Sequence, residues 1–84
     1  MAGEFGRPVK RSVTIAGHET SISLEPMFWG ALETAARERA IPMSALVAEI
    51  DAARIEMRPM PNLTSAIRQW LFDHQSGRRS DERG

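Results

Sequence analysis

The chain has 84 residues, 42% of them hydrophobic, and its 11 basic and 11 acidic side chains give a formal net charge of zero. This length limits it to one domain, and its hydrophobic fraction is that of a folded chain rather than a disordered one. The chain lacks cysteine, which excludes disulfides and thiolate metal sites, and no apolar run approaches the roughly 20 residues that span a bilayer. No leader peptide is recognisable, so we expect a cytoplasmic protein without a membrane segment.

Three basic residues lie close together near the start of the chain. Residues 1–11 are rich in glycine and poor in apolar side chains, and they include Arg7, Lys10 and Arg11. We expect a flexible basic arm that neutralises DNA phosphates, which adds affinity independent of sequence. The alternative is a disordered tail that only aids solubility.

A short strand follows, in which Ser21 and Ser23 face one side and Ile22 and Leu24 the other. No strong strand comes later, so we expect this strand to pair with that of a second copy in an obligate homodimer. Such an antiparallel two-stranded ribbon fits the DNA major groove. Residues 12–16 also alternate and precede a bend, so a local hairpin with residues 20–24 is an alternative.

Three helices are predicted after the strand. Pro26 suits a first helical turn and opens a helix over 26–39, and a second helix spans 43–58 after Pro42. A third helix follows, capped at its start by Asn62 or Thr64. The predicted organisation is therefore a basic arm (1–11), a strand and two helices (12–58), a third helix (59–75) and a disordered tail (76–84).

The order of strand, helix, short turn and helix resembles the ribbon-helix-helix superfamily of DNA-binding proteins, of the Arc, MetJ and CopG type. Residues 10–18, 20–26, 28–29 and 46–51 are similar to a bacterial subfamily that also carries a third helix, here at 62–68. The resemblance implies a mainly α fold with a short β-ribbon, built as an intertwined homodimer. It implies a transcriptional repressor or autoregulator that binds double-stranded DNA.

By the same resemblance, Ser21, Ser23 and Glu19 contact bases, and the start of the second helix, with Ser44, contacts a phosphate through free N–H groups. The implied dimer core contains apolar residues of the strand and both helices: Ile22, Leu24, Trp29, Leu32, Leu46, Val47 and Ile50. Ala40 departs from the family pattern, which has glycine at the end of the first helix. Pro42 also departs, since it replaces a Ser or Thr cap.

The rival hypothesis is a protein-interaction module, either an antitoxin or an adaptor, that uses the third helix. Trp70 and Leu71 would form its partner-binding face, although aromatic residues at helical spacing are more often core. Zero net charge and Glu19 favour this rival. We expect no enzyme activity, cofactor or metal, because no catalytic set or phosphate loop is present and His18 and His74 lack further ligands.

Overall fold

A computed structural model describes the backbone of residues 6–83 and the side chains of residues 6–76. Five elements follow one another: β1 (Val9–Ile15), β2 (His18–Leu24), α1 (Pro26–Glu38), α2 (Met43–Ile55) and α3 (Leu63–Arg83). Residues 1–5 of the predicted arm lie outside the described residues, and the arm's last residues belong to β1 instead.

The two strands form an antiparallel hairpin within one chain. Val9 pairs with Leu24 at the open end, and Ile15 pairs with His18 next to the turn. The two turn residues, Ala16 and Gly17, both have positive φ, 52° and 84°. This conformation is that of the two-residue hairpin turns whose twist matches the strands they join. The local hairpin that the sequence left as an alternative therefore forms within the chain. Pairing of β2 with a second copy stays a prediction.

The connection between α1 and α2 is a Schellman motif. The Ile41 N–H donates to the Ala36 carbonyl and the Ala40 N–H donates to the Arg37 carbonyl, each over 3.0 Å. Ala40 has a φ of 58°, the left-handed conformation usually taken by glycine at this position. The turn forms although alanine replaces glycine. As predicted, Pro42 gives α2 no side-chain cap.

The last two helices differ from prediction at their C-terminal ends. α2 ends at Ile55 rather than at residue 58, and Arg58 donates to the carbonyls of Ile55 and Met57 over 2.8 Å. Asn62 Oδ1 accepts the Ser65 N–H over 2.8 Å, so Asn62 caps α3. α3 continues to Arg83, through most of the predicted tail at 76–84, whose side chains from 77 onward lie outside the described residues. None of the described helices has an apolar stretch that could cross a membrane.

The hydrophobic core is complete within one chain. Every predicted dimer-core residue is at most 4% exposed: Ile22, Leu24, Trp29, Leu32, Leu46, Val47 and Ile50. These residues pack against other parts of the same chain. The neighbouring core residues are Val13 and Ile15 of β1 and Ala66, Ile67 and Leu71 of α3. Burial of these residues therefore needs no second chain.

Candidate nucleic-acid interface

One face of the hairpin is entirely polar and exposed, and we call it the outer face. Side chains on directly opposed residues of two strands share a face, and three such pairs alternate with the buried residues. The outer face consists of the pairs Lys10 with Ser23, Ser12 with Ser21, and Thr14 with Glu19. The predicted base-contacting residues Glu19, Ser21 and Ser23 thus lie together on one surface.

The opposite face anchors the hairpin to the helices. Val13 and Ile15 of β1 and Ile22 and Leu24 of β2 are buried in the core. The Trp29 indole N–H of α1 donates to the Val9 carbonyl over 2.8 Å. Because one face is committed to the core in this way, the register of the strands and the outward direction of the polar residues are both determined.

Arg11, also predicted to contact DNA, lies on this anchored face and not on the outer face with Lys10, Ser21 and Ser23. Its guanidinium lies over the Trp29 ring, 4.7 Å from the ring centroid, and its Nη1 is 3.2 Å from Glu33 Oε2. Odd-numbered residues of β1 point toward the helices, so Arg11 is separated from its neighbour Lys10. Lys10 is on the outer face, and Arg7 is exposed just before β1.

Ser12 and Thr14 are outer-face residues that the sequence argument missed. Both are exposed, and each lies directly opposite a predicted base-contacting residue of β2. The alternation of hydroxyl and apolar residues over 12–16 indicated that Ser12 and Thr14 lie on the same side of a strand. Because the partner of that strand was not known, the alternation did not show that they share a face with Ser21 and Glu19.

The predicted phosphate site at the start of α2 lies on a separate element from the hairpin. The Ala45 and Leu46 N–H groups donate to the Pro42 carbonyl over 3.0 and 3.2 Å, which begins the helical pattern. The first N–H groups of a helix have no acceptor within the helix, here those of Met43 and Ser44. Ser44 is half-buried in this first turn.

An ion pair joins the end of the hairpin to α3. The Glu25 carboxylate, directly after β2, accepts two hydrogen bonds from Arg68 Nη2, at 2.8 and 3.0 Å. Hydrogen bonding to Arg68 is the main cause that lowers the pKa of Glu25 below its ordinary value. The Arg68 guanidinium also lies 5.5 Å from the centroid of the Phe28 ring.

Of the two predicted partner-binding residues, Leu71 is buried, which removes it from any exposed face, and Trp70 is half-buried. Leu71 is 3% exposed in the core, and Trp70 packs against the core with its ring stacked on His74 at 4.8 Å. Phe72, one position further along α3, is instead 71% exposed. Trp70 and Leu71 differ from Phe72 because successive helical positions face different directions.

A second exposed apolar residue lies beside Phe72. Met27 of α1 is 66% exposed, and both side chains line a groove between α1 and α3 with Ala31 on its wall. Among the described residues, no cluster of three or more His, Asp or Glu side chains is arranged to hold a metal ion.

Comparison with known proteins identifies the family. A sequence model described as "Ribbon-helix-helix domain" matches residues 8–75, which include both strands, α1, α2 and more than half of α3. No curated protein and no solved structure gives a significant match to the chain. The match covers most of the chain and agrees with the observed order of a two-stranded sheet followed by helices. The chain therefore belongs to the ribbon-helix-helix domain family.

Proposed function

We propose that the protein is a DNA-binding transcriptional regulator, acting as a repressor or autoregulator in the bacterial cytoplasm. It places the outer face of the hairpin in the major groove. The observation that carries this proposal is the outer face itself, a two-stranded surface on which all side chains are polar and exposed. The family consists in general of DNA-binding regulators, and a two-stranded ribbon is one of the elements that the major groove admits.

The chemistry of the outer face suits base edges. Serine hydroxyls both donate and accept hydrogen bonds, Lys10 matches the two acceptors of guanine, and Glu19 accepts from the amino group of cytosine. Arg7 and the free N–H groups at the start of α2, with Ser44, would contact phosphates, which fix the position of the protein on the duplex. Since serine pairs with several bases, specificity depends on the face as a whole.

We propose that the regulator is a homodimer joined through α2. This helix is apolar on two opposite sides, and its buried residues, Leu46, Val47 and Ile50, all lie on one of them. The other side carries a stripe of small and apolar residues at helical spacing, Ala45, Ala52 and Ile55, together with Ala48, which is partly buried against the core. Ile55 is 48% exposed. Each apolar side of a helix is usually covered, and two copies of this stripe cover the second side symmetrically.

Binding to a random-sequence duplex across a salt series tests the DNA-binding proposal. A variant with Lys10→Ala, Ser21→Ala and Ser23→Ala is compared with Thr34→Ala, Ser65→Ala, in which exposed hydroxyls of α1 and α3 are removed instead. We expect affinity of the native chain to fall steeply with salt, and the outer-face variant alone to bind more weakly with a shallower salt dependence. Absence of binding by the native chain at low salt would contradict the proposal.

A second candidate, a protein-interaction module such as an antitoxin, is favoured by one observation. Phe72 and Met27 expose two large apolar side chains next to each other at the groove between α1 and α3. The test is co-purification with the product of the neighbouring gene. Under this function Phe72→Ser abolishes the complex, whereas Met60→Ser, an exposed methionine outside the groove, does not. A stable complex with both variants would argue against this surface.

A further inference from the structure

On the basis of the proposed function, we propose that Arg68 of α3 is a positioning residue for DNA binding. It holds Glu25, and through Glu25 it orients the end of β2 that carries Ser23. Arg68 is not an outer-face residue, because its guanidinium contacts Glu25 and the Phe28 ring. The third helix therefore acts on DNA binding through a contact behind the DNA-facing surface. Arg68 acts in the same way whatever lies along the other edge of β2.

Glu25 lies at the junction of three elements. It follows Leu24, the last residue of β2. Its main-chain carbonyl accepts the N–H groups of Phe28 and Trp29 over 2.9 and 3.1 Å, which begins α1. Its carboxylate accepts hydrogen bonds from Arg68 of α3. The direction in which the chain leaves β2 is therefore restrained by both helices.

The contact between Arg68 and Glu25 is a forked ion pair. Arg68 Nη2 donates to both carboxylate oxygens, over 2.8 and 3.0 Å, and Nε donates to Oε1 over 3.3 Å. A planar guanidinium that uses two nitrogens on one carboxylate fixes orientation as well as distance. The Phe28 ring, 5.5 Å from the guanidinium, restrains it further. The lowered pKa of Glu25 agrees with this geometry, because hydrogen bonds to Arg68 stabilise the charged carboxylate.

This ion pair lies close to the outer face. Ser23 precedes Glu25 by two residues, roughly 7 Å along an extended strand. Ser23 is paired with Lys10 near the open end of the hairpin. Hydrogen bonds to base edges depend on distance and angle, so a displaced open end changes how Ser23 and Lys10 meet the bases.

The open end of the hairpin is held in place by its contacts with the helices. At the other end the turn joins the two strands covalently, whereas the open end has no such link. The Val9 carbonyl connects it to α1 through the Trp29 indole, and Glu25 connects it to α3 through Arg68. Loss of the second connection leaves this end attached to α1 alone.

Arg68 also balances the charge of Glu25. A carboxylate roughly 7 Å from Ser23 lies within the screening length of about 8 Å at physiological salt, so an unpaired Glu25 would repel a nearby phosphate. Repulsion of this kind weakens binding to every duplex, whereas orientation of base-contacting residues affects only the preferred one. The two effects can therefore be measured separately.

The experiment separates orientation from charge. The full-length chain selects a preferred duplex from a random pool, and discrimination is the ratio of its affinities for the selected and random duplexes. Glu25→Gln, Arg68→Gln removes the ion pair without changing net charge. We expect its random-duplex affinity to stay within about twofold of the native value and its discrimination to fall by about fivefold or more. Arg68→Lys keeps the charge without the planar fork and should show intermediate discrimination.

The matched control is Asp51→Asn, Arg54→Gln, which also removes a partly exposed ion pair without changing net charge. Arg54 Nη2 lies 2.8 Å from Asp51 Oδ1, and its Nη1 donates to the Pro61 carbonyl before α3. This pair lines a cleft with His18, at the turn end of the hairpin. The control should therefore discriminate between duplexes as the native chain does.

The outcomes distinguish this proposal from the proposed function. If the native chain selects no duplex, the proposed function fails and the role of Arg68 fails with it. If the chain selects a duplex and Glu25→Gln, Arg68→Gln discriminates as the native chain does, Arg68 does not position the strand. Equal losses in this variant and the control would indicate a general loss of stability, and a uniform fall in affinity with unchanged discrimination would indicate a direct phosphate contact by Arg68. Each of these last three results would overturn the positioning role and leave the proposed function intact.

Discussion

Two alanines adopt a backbone conformation that usually belongs to glycine. Ala16 in the hairpin turn and Ala40 after α1 have φ values of 52° and 58°. A Cβ atom in this left-handed region approaches the neighbouring carbonyl and costs about 1–2 kcal/mol. Their surroundings maintain these conformations: strand pairing closes the first turn, and the two hydrogen bonds of the Schellman motif close the second.

Replacement of Ala40 by glycine should stabilise the protein. The substitution removes the left-handed penalty but gives the unfolded chain more freedom, so we expect a net gain of about 0.5–1 kcal/mol in the free energy of unfolding. Urea denaturation measures the free energy of unfolding of the native chain and the variant. Ala53→Gly is the control, because Ala53 is helical and exposed and its replacement should cost about 1 kcal/mol. A loss of stability in both variants would contradict the prediction.

At the scale of elements, β1 is held to α1 by the Trp29 side chain. Its indole N–H donates to the Val9 carbonyl, and its ring lies beneath Arg11. Trp29→Phe keeps an aromatic ring but deletes the donor. We expect a cost of about 1 kcal/mol from the hydrogen bond, in addition to the loss of packing.

Amide hydrogen exchange locates this effect. In Trp29→Phe, protection should fall in β1 more than in α2, whereas Trp70→Phe makes the same change of side chain away from β1 and should leave the hairpin protected. Equal loss of protection throughout the molecule in Trp29→Phe would indicate a general packing effect and would refute the specific anchoring of β1.

The ion pair between Glu25 and Arg68 makes the contact of the hairpin with α3 dependent on pH. The folded-state pKa of Glu25 is lowered, mainly by its hydrogen bonds with Arg68, so its stabilisation is fully present above the ordinary glutamate pKa and is lost as pH falls through the lower folded value. We expect Glu25→Gln to be less stable than the native chain at pH 7 and the two to converge at strongly acidic pH. Thermal denaturation at several pH values measures the difference, and a gap that stays constant from neutral to strongly acidic pH would contradict this explanation.

At the scale of the whole molecule, a core that is complete within one chain means that folding does not depend on dimerisation. If a second copy were needed to bury the apolar residues, as expected from the sequence, folding and association would be a single event. Since β1 and α3 bury them instead, we expect dilution to dissociate the proposed dimer into folded chains before they unfold.

A charge in the apolar stripe of α2 tests this arrangement. Ala52→Glu buries a carboxylate in the proposed dimer interface and should shift the protein to monomer with its helical content retained. Ala53→Glu, exposed on a different side of α2, should leave the dimer intact. Sedimentation velocity over a hundredfold concentration range measures both. A native chain that is monomeric throughout, or two variants that both dimerise, would contradict the α2 interface.

Local patterns predicted most of the elements. Alternation at residues 21–24 predicted β2 and which of its side chains are buried, and Pro26 and Asn62 marked helix starts that the structure confirms. The predicted C-terminal ends of α2 and α3 were wrong. Three residues after Ile55 were assigned to α2, and the polar composition after residue 76 masked a helix that continues to Arg83.

The order of the elements, the buried side of β2 and the family could therefore be predicted from the sequence. These features depend on side-chain periods and on turn residues that are close together in the chain. The structure shows β1 beside β2, Arg11 over the Trp29 ring and Leu71 in the core. Each depends on which element packs alongside: β1 pairs with one edge of β2, and α3 covers the core. A strand has the same local pattern whichever neighbour pairs with it, so that choice appears only when the whole chain has packed.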